Sequence, residues 1–123
     1  MDSKRVTLAN DVQVGRTATE ISLEGTELTV PGSVLVTAVF DVELLTKGKP
    51  TGTFIGVLGG PPFSQGSAPV ATARLSTQGD RVTVAQTWVI QGGSTLILRA
   101  KVRGDGLYLL HKVNTGYTVV PVT

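Results

Sequence analysis

The sequence has no cysteine, a single histidine and few charged residues, and each shortage excludes a kind of chemistry. Without cysteine the chain forms no disulfide bond, no thiolate nucleophile and no cysteine-based metal site. No carboxylates lie at a spacing that would complete a zinc site around His111. We therefore expect no metal, no cofactor and no catalytic centre, and we interpret His111 as a half-buried structural side chain in a strand.

Charged residues make up 16% of the chain, against about 25% in a typical soluble domain. They are missing altogether from residues 50–73 and 82–98. A small monomer usually solvates its outer strand faces with charged side chains. The neutral stretches indicate either a surface rich in threonine and serine or faces covered by other copies of the chain. Interface cores are depleted in charge in the same way, so we favour self-association.

The charge pattern also bears on partners. The formal net charge is +2, and the basic residues form no run longer than Lys4-Arg5. Aromatic residues are 5% of the chain, so few could stack on bases. A nucleic-acid partner, which needs a basic stripe, is therefore not expected. No membrane partner is expected either, because no apolar run approaches the roughly 18 residues of a membrane span.

What the sequence does contain is strand periodicity, most clearly in residues 33–45. Alternate residues there form one apolar face, namely Val34, Val36, Ala38, Phe40, Val42 and Leu44. This period of two, rich in β-branched residues, predicts a central strand with one buried side. Asp41 and Glu43 lie on the other side. Such a pair could serve a glycosidase or bind calcium, but we interpret it as a solvated face.

Two more long strands are predicted at residues 81–90 and 94–102, on either side of Gln91-Gly92-Gly93. One face of the first holds Val82, Val84, Gln86, Trp88 and Ile90, and one face of the second holds Leu96, Leu98, Ala100 and Val102. Adjacent glycines supply the positive φ angles of a tight turn, so we predict a β-hairpin.

Shorter strands are predicted at residues 19–23, 27–30, 51–58, 70–76, 107–113 and 117–122, with no helix. Many short strands with frequent turns predict an all-β, antiparallel two-sheet sandwich, a jelly roll first and an immunoglobulin-like sandwich second. Residues 19–123 would form this domain. Residues 1–18 would be an arm or short strands that could anchor it. The long loop at residues 59–69 is of a kind that often contacts a partner.

Two motifs suggest an alternative function. Trp88, Tyr108 and Tyr117 could form a platform that stacks on sugars, which would make the chain a carbohydrate-binding or adhesion module with a host glycan as partner. Arg103-Gly104-Asp105 is a tripeptide that can dock to integrins when a loop displays it. Turn chemistry explains the same residues, because glycine on each side of aspartate permits a tight turn.

Several segments together resemble a known family. They are Gly79-Asp80-Arg81-Val82-Thr83-Val84, then Gly92-Gly93-Ser94-Thr95, and the closing Tyr117-Thr118-Val119-Val120-Pro121-Val122. With Leu28-Thr29-Val30-Pro31-Gly32-Ser33 before the long apolar strand, the chain resembles the TNF/C1q-like jelly rolls on bacteriophage virions, over roughly residues 20–123.

The resemblance implies a non-enzymatic virion structural protein, either a capsid decoration protein or a tail-associated one. It implies a homotrimer whose inner-sheet apolar faces meet at the threefold axis. Its partners would be itself and other virion proteins such as the major capsid protein, with the N-terminal segment as anchor. The residues expected in the core or the trimer contact are Phe54, Ile55, Val57, Trp88 and Leu98.

Overall fold

The computed structural model describes residues 2–15, 20–47, 52–59, 70–90 and 94–122. These residues form eleven strands and no helix, so none of them belongs to a helix that could span a membrane. The strands are β1 (Lys4–Thr7), β2 (Val12–Val14), β3 (Ile21–Ser22), β4 (Leu28–Val30), β5 (Val34–Leu44), β6 (Thr53–Gly59), β7 (Val70–Ala73), β8 (Arg81–Ile90), β9 (Ser94–Arg103), β10 (Tyr108–Leu110) and β11 (Gly116–Pro121).

The strands pair as one long hairpin that is folded over on itself. From the ends inward, β1 and β2 pair with β11 and β10, β3 and β4 pair with β9, β5 pairs with β8, and β6 pairs with β7. The hairpin then wraps, so that β10 and β11 also pair with β5, and β9 pairs with β6. All pairs are antiparallel. This nested and wrapped pairing is a jelly roll, which confirms the first of the two predicted sandwich types.

Two sheets enclose the core. Sheet A contains β1, β2, β5, β8, β10 and β11, and sheet B contains β3, β4, β6, β7 and β9. The predicted inward faces of β5 and β9 are confirmed, since their apolar residues at alternate positions are at most 1% exposed. Phe40 of β5 packs against Phe54 of β6 with ring centroids 5.8 Å apart, which joins the two sheets at the centre.

The predicted hairpin between β8 and β9 is wrong, although both strands form. β8 pairs with β5 from Arg81, opposite Glu43, to Ile90, opposite Val34, and it therefore belongs to sheet A. β9 pairs with β6 in sheet B. The predicted turn at residues 91–93 lies outside the described residues. β5 pairs with all ten residues of β8, whereas β9 pairs with β6 on one side and with β3 and β4 on the other, which leaves β9 no free side for β8.

The described part of the N-terminal segment contributes short strands at the border of sheet A. β1 pairs with β11 and β2 pairs with β10. Leu8 and Val14 are 4% and 1% exposed and belong to the core. The predicted boundary after residue 18 lies outside the described residues, as does most of the predicted loop at residues 59–69.

A group of buried hydrogen bonds joins the two sheets beside the core. The Thr26 hydroxyl donates to the Leu23 carbonyl at 2.7 Å and accepts from the Leu98 amide at 3.0 Å. The Tyr117 hydroxyl, on β11 of sheet A, donates to the Thr26 carbonyl at 2.5 Å. Burial, with a smaller contribution from the charge of Glu27, raises the pKa of Tyr117 well above its usual value, so the phenol stays a donor.

Replacing Tyr117 by phenylalanine should therefore lower the free energy of unfolding by about 1–3 kcal/mol, because the buried Thr26 carbonyl loses its donor. Urea denaturation would measure this as a lower midpoint with an unchanged slope. A Tyr117→Phe midpoint equal to that of the parent protein would contradict the importance of this hydrogen bond.

Candidate interaction surface

The outer face of sheet A carries no charged side chain along the central part of three adjacent strands. The registers of β8, β5 and β11 align their outward side chains in rows across the sheet. From the end of β8 inward, the rows are Val89–Leu35–Val120, Thr87–Thr37–Thr118 and Ala85–Val39–Gly116, the last of which ends at a buried glycine without a side chain. We call these nine residues the neutral face. It joins part of the neutral stretch 82–98 to the start of β5 and to β11.

Large apolar side chains on the neutral face are open to solvent. Val89 is 59% exposed and Val120 is 41% exposed, with the half-buried Leu35 between them. The middle row is tied by a hydrogen bond of 3.2 Å between the hydroxyls of Thr37 and Thr87. Contiguous exposed apolar residues on a small domain mark a contact surface more often than isolated ones do. The neutral face is therefore the candidate site of association.

An ion pair between strands borders the neutral face at one end. Nε and Nη2 of Arg81 donate to Oδ1 and Oδ2 of Asp41 at 2.8 and 2.7 Å, and Nδ2 of Asn114 donates to Oδ2 at 3.1 Å. Asp41 is 2% exposed, so its interpretation as a solvated carboxylate is wrong. The Arg81 hydrogen bonds, assisted by Asn114, hold the pKa of Asp41 below its usual value despite its burial.

Glu43 and His111 form a second pair beside the first. Nε2 of His111 lies 2.9 Å from Oε1 of Glu43, and the two side chains are 19% and 27% exposed. His111 directly follows β10 instead of lying inside a strand. The described residues contain no group of three or more histidine, aspartate or glutamate side chains that could hold a metal ion. The hydrogen bonds of Asp41 and Glu43 join β5 to β8 and to the turn after β10.

The side of the sandwich next to the neutral face is an open edge. β8 borders sheet A and β7 borders sheet B, and no described strand pairs with the outer side of either. A cleft between the two is lined by neutral residues, namely Ala71, Thr72, Val84, Ala85 and Gln86. An unpaired strand edge presents backbone N–H and C=O groups to any partner that reaches it.

The residues predicted for the core or the trimer contact lie in three different places. Phe54 and Leu98 are fully buried in the core. Trp88 is partly buried, and its side chain packs against the core from β8. Ile55 and Val57 are 5% and 2% exposed but lie on the outer side of sheet B, apart from the core cluster. None of these five belongs to the neutral face.

The predicted sugar-stacking platform does not form from its three aromatic residues. Tyr108 and Tyr117 are 0% and 1% exposed, and their hydroxyls are bonded to backbone carbonyls within the fold. Trp88 faces inward. Residues 104 and 105 form a bend between β9 and β10, and Gly104 and Gly106 on either side of Asp105 have φ angles of 85° and 143°.

Comparisons with known proteins give the fold alone. No family model and no curated protein matches the sequence. The solved structure of Eiger TNF from S. frugiperda is similar, with 11% identity and a TM-score of 0.59 over 99% of this chain and 92% of that one. A chain in the structure of infectious bursal disease virus Gt strain is similar with 15% identity and a TM-score of 0.55. The alignment covers 96% of this chain but only 32% of the viral one.

A third similar structure is the carbohydrate binding module CBM6cm-2 from Cellvibrio mixtus lichenase 5A, solved with cellotriose. It has 16% identity and a TM-score of 0.46 over 98% of this chain and 88% of that one. At these identities the likenesses establish a jelly-roll sandwich shared with a TNF and with a viral protein chain.

Proposed function

We propose that this chain is a non-enzymatic structural protein of a bacteriophage virion, a capsid decoration or tail-associated protein that assembles as a homotrimer. The observation that carries the proposal is the neutral face, with Val89 59% exposed on an uncharged surface. The jelly-roll fold, found also in a TNF and in a chain of a virus structure, supports it. The sequence resemblance to phage virion jelly rolls is the reason to propose a phage origin.

In the trimer, the open edge of one copy would pack on the neutral face of the next copy. The open edge between β7 and β8 adjoins the neutral face along β8 and shares Ala85 with it. A contact between unlike surfaces closes into a ring when the rotation between copies permits it. The nine residues of the neutral face and the five residues that line the cleft are uncharged, so little desolvation of charge opposes their contact. A stable interface of this kind buries upward of about 1,000 Å² in total.

The virion would supply the remaining partner. The N-terminal segment, which includes β1 at the border of sheet A, would anchor the trimer to the major capsid protein or to a tail component. Cosedimentation of the chain with intact phage particles through a density gradient tests this localisation. Recovery of the protein only in the particle-free fractions would contradict it.

Replacing Val89 by lysine should abolish self-association, because the contact would bury an unpaired ammonium group. The loss should be at least about 100-fold in the association constant, which converts a trimer at micromolar concentration into a monomer. Light scattering on the purified chain measures this directly as a fall from about three times 12.8 kDa to 12.8 kDa.

Val113→Lys is the matched control. Val113 is 72% exposed in the turn after β10 and is not one of the nine residues of the neutral face, so the same substitution there should leave the mass unchanged. A monomeric parent protein would contradict self-association through any surface. A trimeric Val89→Lys variant would show that the copies meet elsewhere.

A further inference from the structure

The outer face of sheet B has a row of positive charges on β9. The inward residues of β9 are buried, so Arg99, Lys101 and Arg103 alternate with them and point outward. Their partners in β6 are Val57, Ile55 and Thr53. We call the three basic residues the cationic row. Neighbours in the row are about 7 Å apart, because each strand residue advances the chain by about 3.3 Å.

The cationic row has no anionic partner within the described part of the chain. The ion pairs found there join Arg81 to Asp41 and His111 to Glu43, and neither involves β9. Glu20 directly precedes β3, the other neighbour of β9, but it is exposed and forms no ion pair with Lys101. Among the described residues, none of the three cations therefore forms an ion pair, although Glu20 lies opposite Lys101 when the register of β3 and β9 is extended by one residue.

Arg99 shows the strongest sign of a missing partner. Its Nε is buried and has no hydrogen-bond acceptor. The side chain lies against Gly59 of β6, where an added Cβ would come within 3.2 Å of both Cδ and Nε of Arg99. A buried donor without an acceptor is unfavourable by about 1–3 kcal/mol, so such groups are rare unless a ligand or partner satisfies the side chain.

The surface beneath the row is apolar. Ile55 and Val57 are 5% and 2% exposed, and the half-buried Ile97 precedes Arg99 on the same face. Cations beside apolar groups are less hydrated than cations on a polar surface, so an incoming carboxylate displaces less water and gains more. Arginine next to apolar residues is also the composition enriched in the centres of protein interfaces.

We propose that the cationic row binds an acidic surface of a partner protein. Carboxylates at alternate positions of an extended segment are also about 7 Å apart and would match the row one to one. Nucleic acid fits less well, because no described residue of this face is aromatic and a flat sheet enters neither groove. The row lies on the opposite sheet from the neutral face. The inference therefore goes beyond self-association and stands if the chain is monomeric.

The test uses fluorescently labelled probes and the full chain. One probe is a dodecapeptide of alternating glutamate and threonine, and the other is a single-stranded oligothymidylate with the same number of negative charges. Fluorescence anisotropy at low salt should show the peptide binding more tightly than the oligonucleotide. Arg99→Gln, Lys101→Gln and Arg103→Gln combined should weaken peptide binding about tenfold or more, as expected for three exposed or half-exposed charge pairs.

The matched control combines Lys4→Gln, Arg5→Gln and Lys112→Gln, which removes the same charge from exposed positions on the other side of the molecule. It should retain at least half of the parent affinity. An equal loss in both triple variants, tighter binding of the oligonucleotide, or no peptide binding by the parent protein would each overturn the proposal. Should the row variant unfold in a thermal melt, the single variants Lys101→Gln and Arg103→Gln provide the same comparison. Solution mass is measured separately, so failure here leaves self-association untouched.

Discussion

Replacing Gly56 by alanine should lower the free energy of unfolding by about 2–3 kcal/mol, the upper range for overpacking a core. Gly56 lies in β6 between Ala71 of β7 and Ala100 of β9. A Cβ added at Gly56 would lie 2.6–2.8 Å from three ring carbons of Phe40. Phe40 is 0% exposed and packs against Phe54, so its ring has nowhere to move. Urea denaturation would report the loss as a lower midpoint.

Gly32→Ala is the matched control for this substitution. A Cβ at Gly32 meets no atom within 4 Å, so the same added methyl group should leave the midpoint nearly unchanged. The double variant Gly56→Ala, Phe40→Leu should be more stable than the sum of the single losses predicts, since the smaller side chain removes the clash. Strict additivity of the two substitutions would contradict the proposed contact.

The sequence was sufficient for the long strands and their buried sides. In β5 and β9 the apolar residues occupy strictly alternate positions, and these are the residues that the core encloses. Such a pattern is local, because a single face of one strand is buried whichever strands become its neighbours. The jelly-roll class followed from the number of strands and from the resemblance.

Local sequence signals did not predict which strands pair with each other. The glycines at residues 92 and 93 indicated a turn between two strands, and a hairpin is the simplest structure that uses one. Yet β8 pairs with β5, whose residues Val34 to Glu43 precede it by a long stretch of chain. Which strand pairs with β8 depends on the apolar contact along the whole strand. The residues of a turn contain no information about that contact.

The interaction surface was likewise not predictable from local sequence signals. The sequence marked residues 82–98 as free of charge, but the neutral face exists only because Val89, Leu35 and Val120 meet in one row. Asp41 was interpreted as solvated because Arg81 and Asn114, which enclose it, come from distant segments. The cationic row, in contrast, follows from the same period of two that revealed the core, because Arg99 and Lys101 alternate with the buried residues of β9.

Replacing Arg81 by alanine should lower the free energy of unfolding at neutral pH by clearly more than a substitution at an unpaired surface arginine does, because it leaves the buried Asp41 carboxylate without its cation. The Asp41 side chain is 3% exposed whereas that of Arg81 is 47% exposed, so the loss arises at Asp41 and not from the removal of the arginine stem. Arg5→Ala, at an exposed position of β1, is the control and should change the unfolding free energy by less than about 0.5 kcal/mol.

The dependence on pH identifies the ion pair as the cause. The Arg81 hydrogen bonds hold the pKa of Asp41 below its usual value, so the folded state binds its proton less readily than the unfolded state does. Such a group contributes its full stability above the unfolded pKa of about 3.9, and the contribution is lost as the pH falls through the lower folded pKa. The parent protein and the Arg81→Ala variant should therefore differ most at neutral pH and converge in strong acid. A difference that stayed constant from neutral pH to about pH 2 would mean that Arg81 stabilises the sheet by packing, because protonating Asp41 would then change nothing.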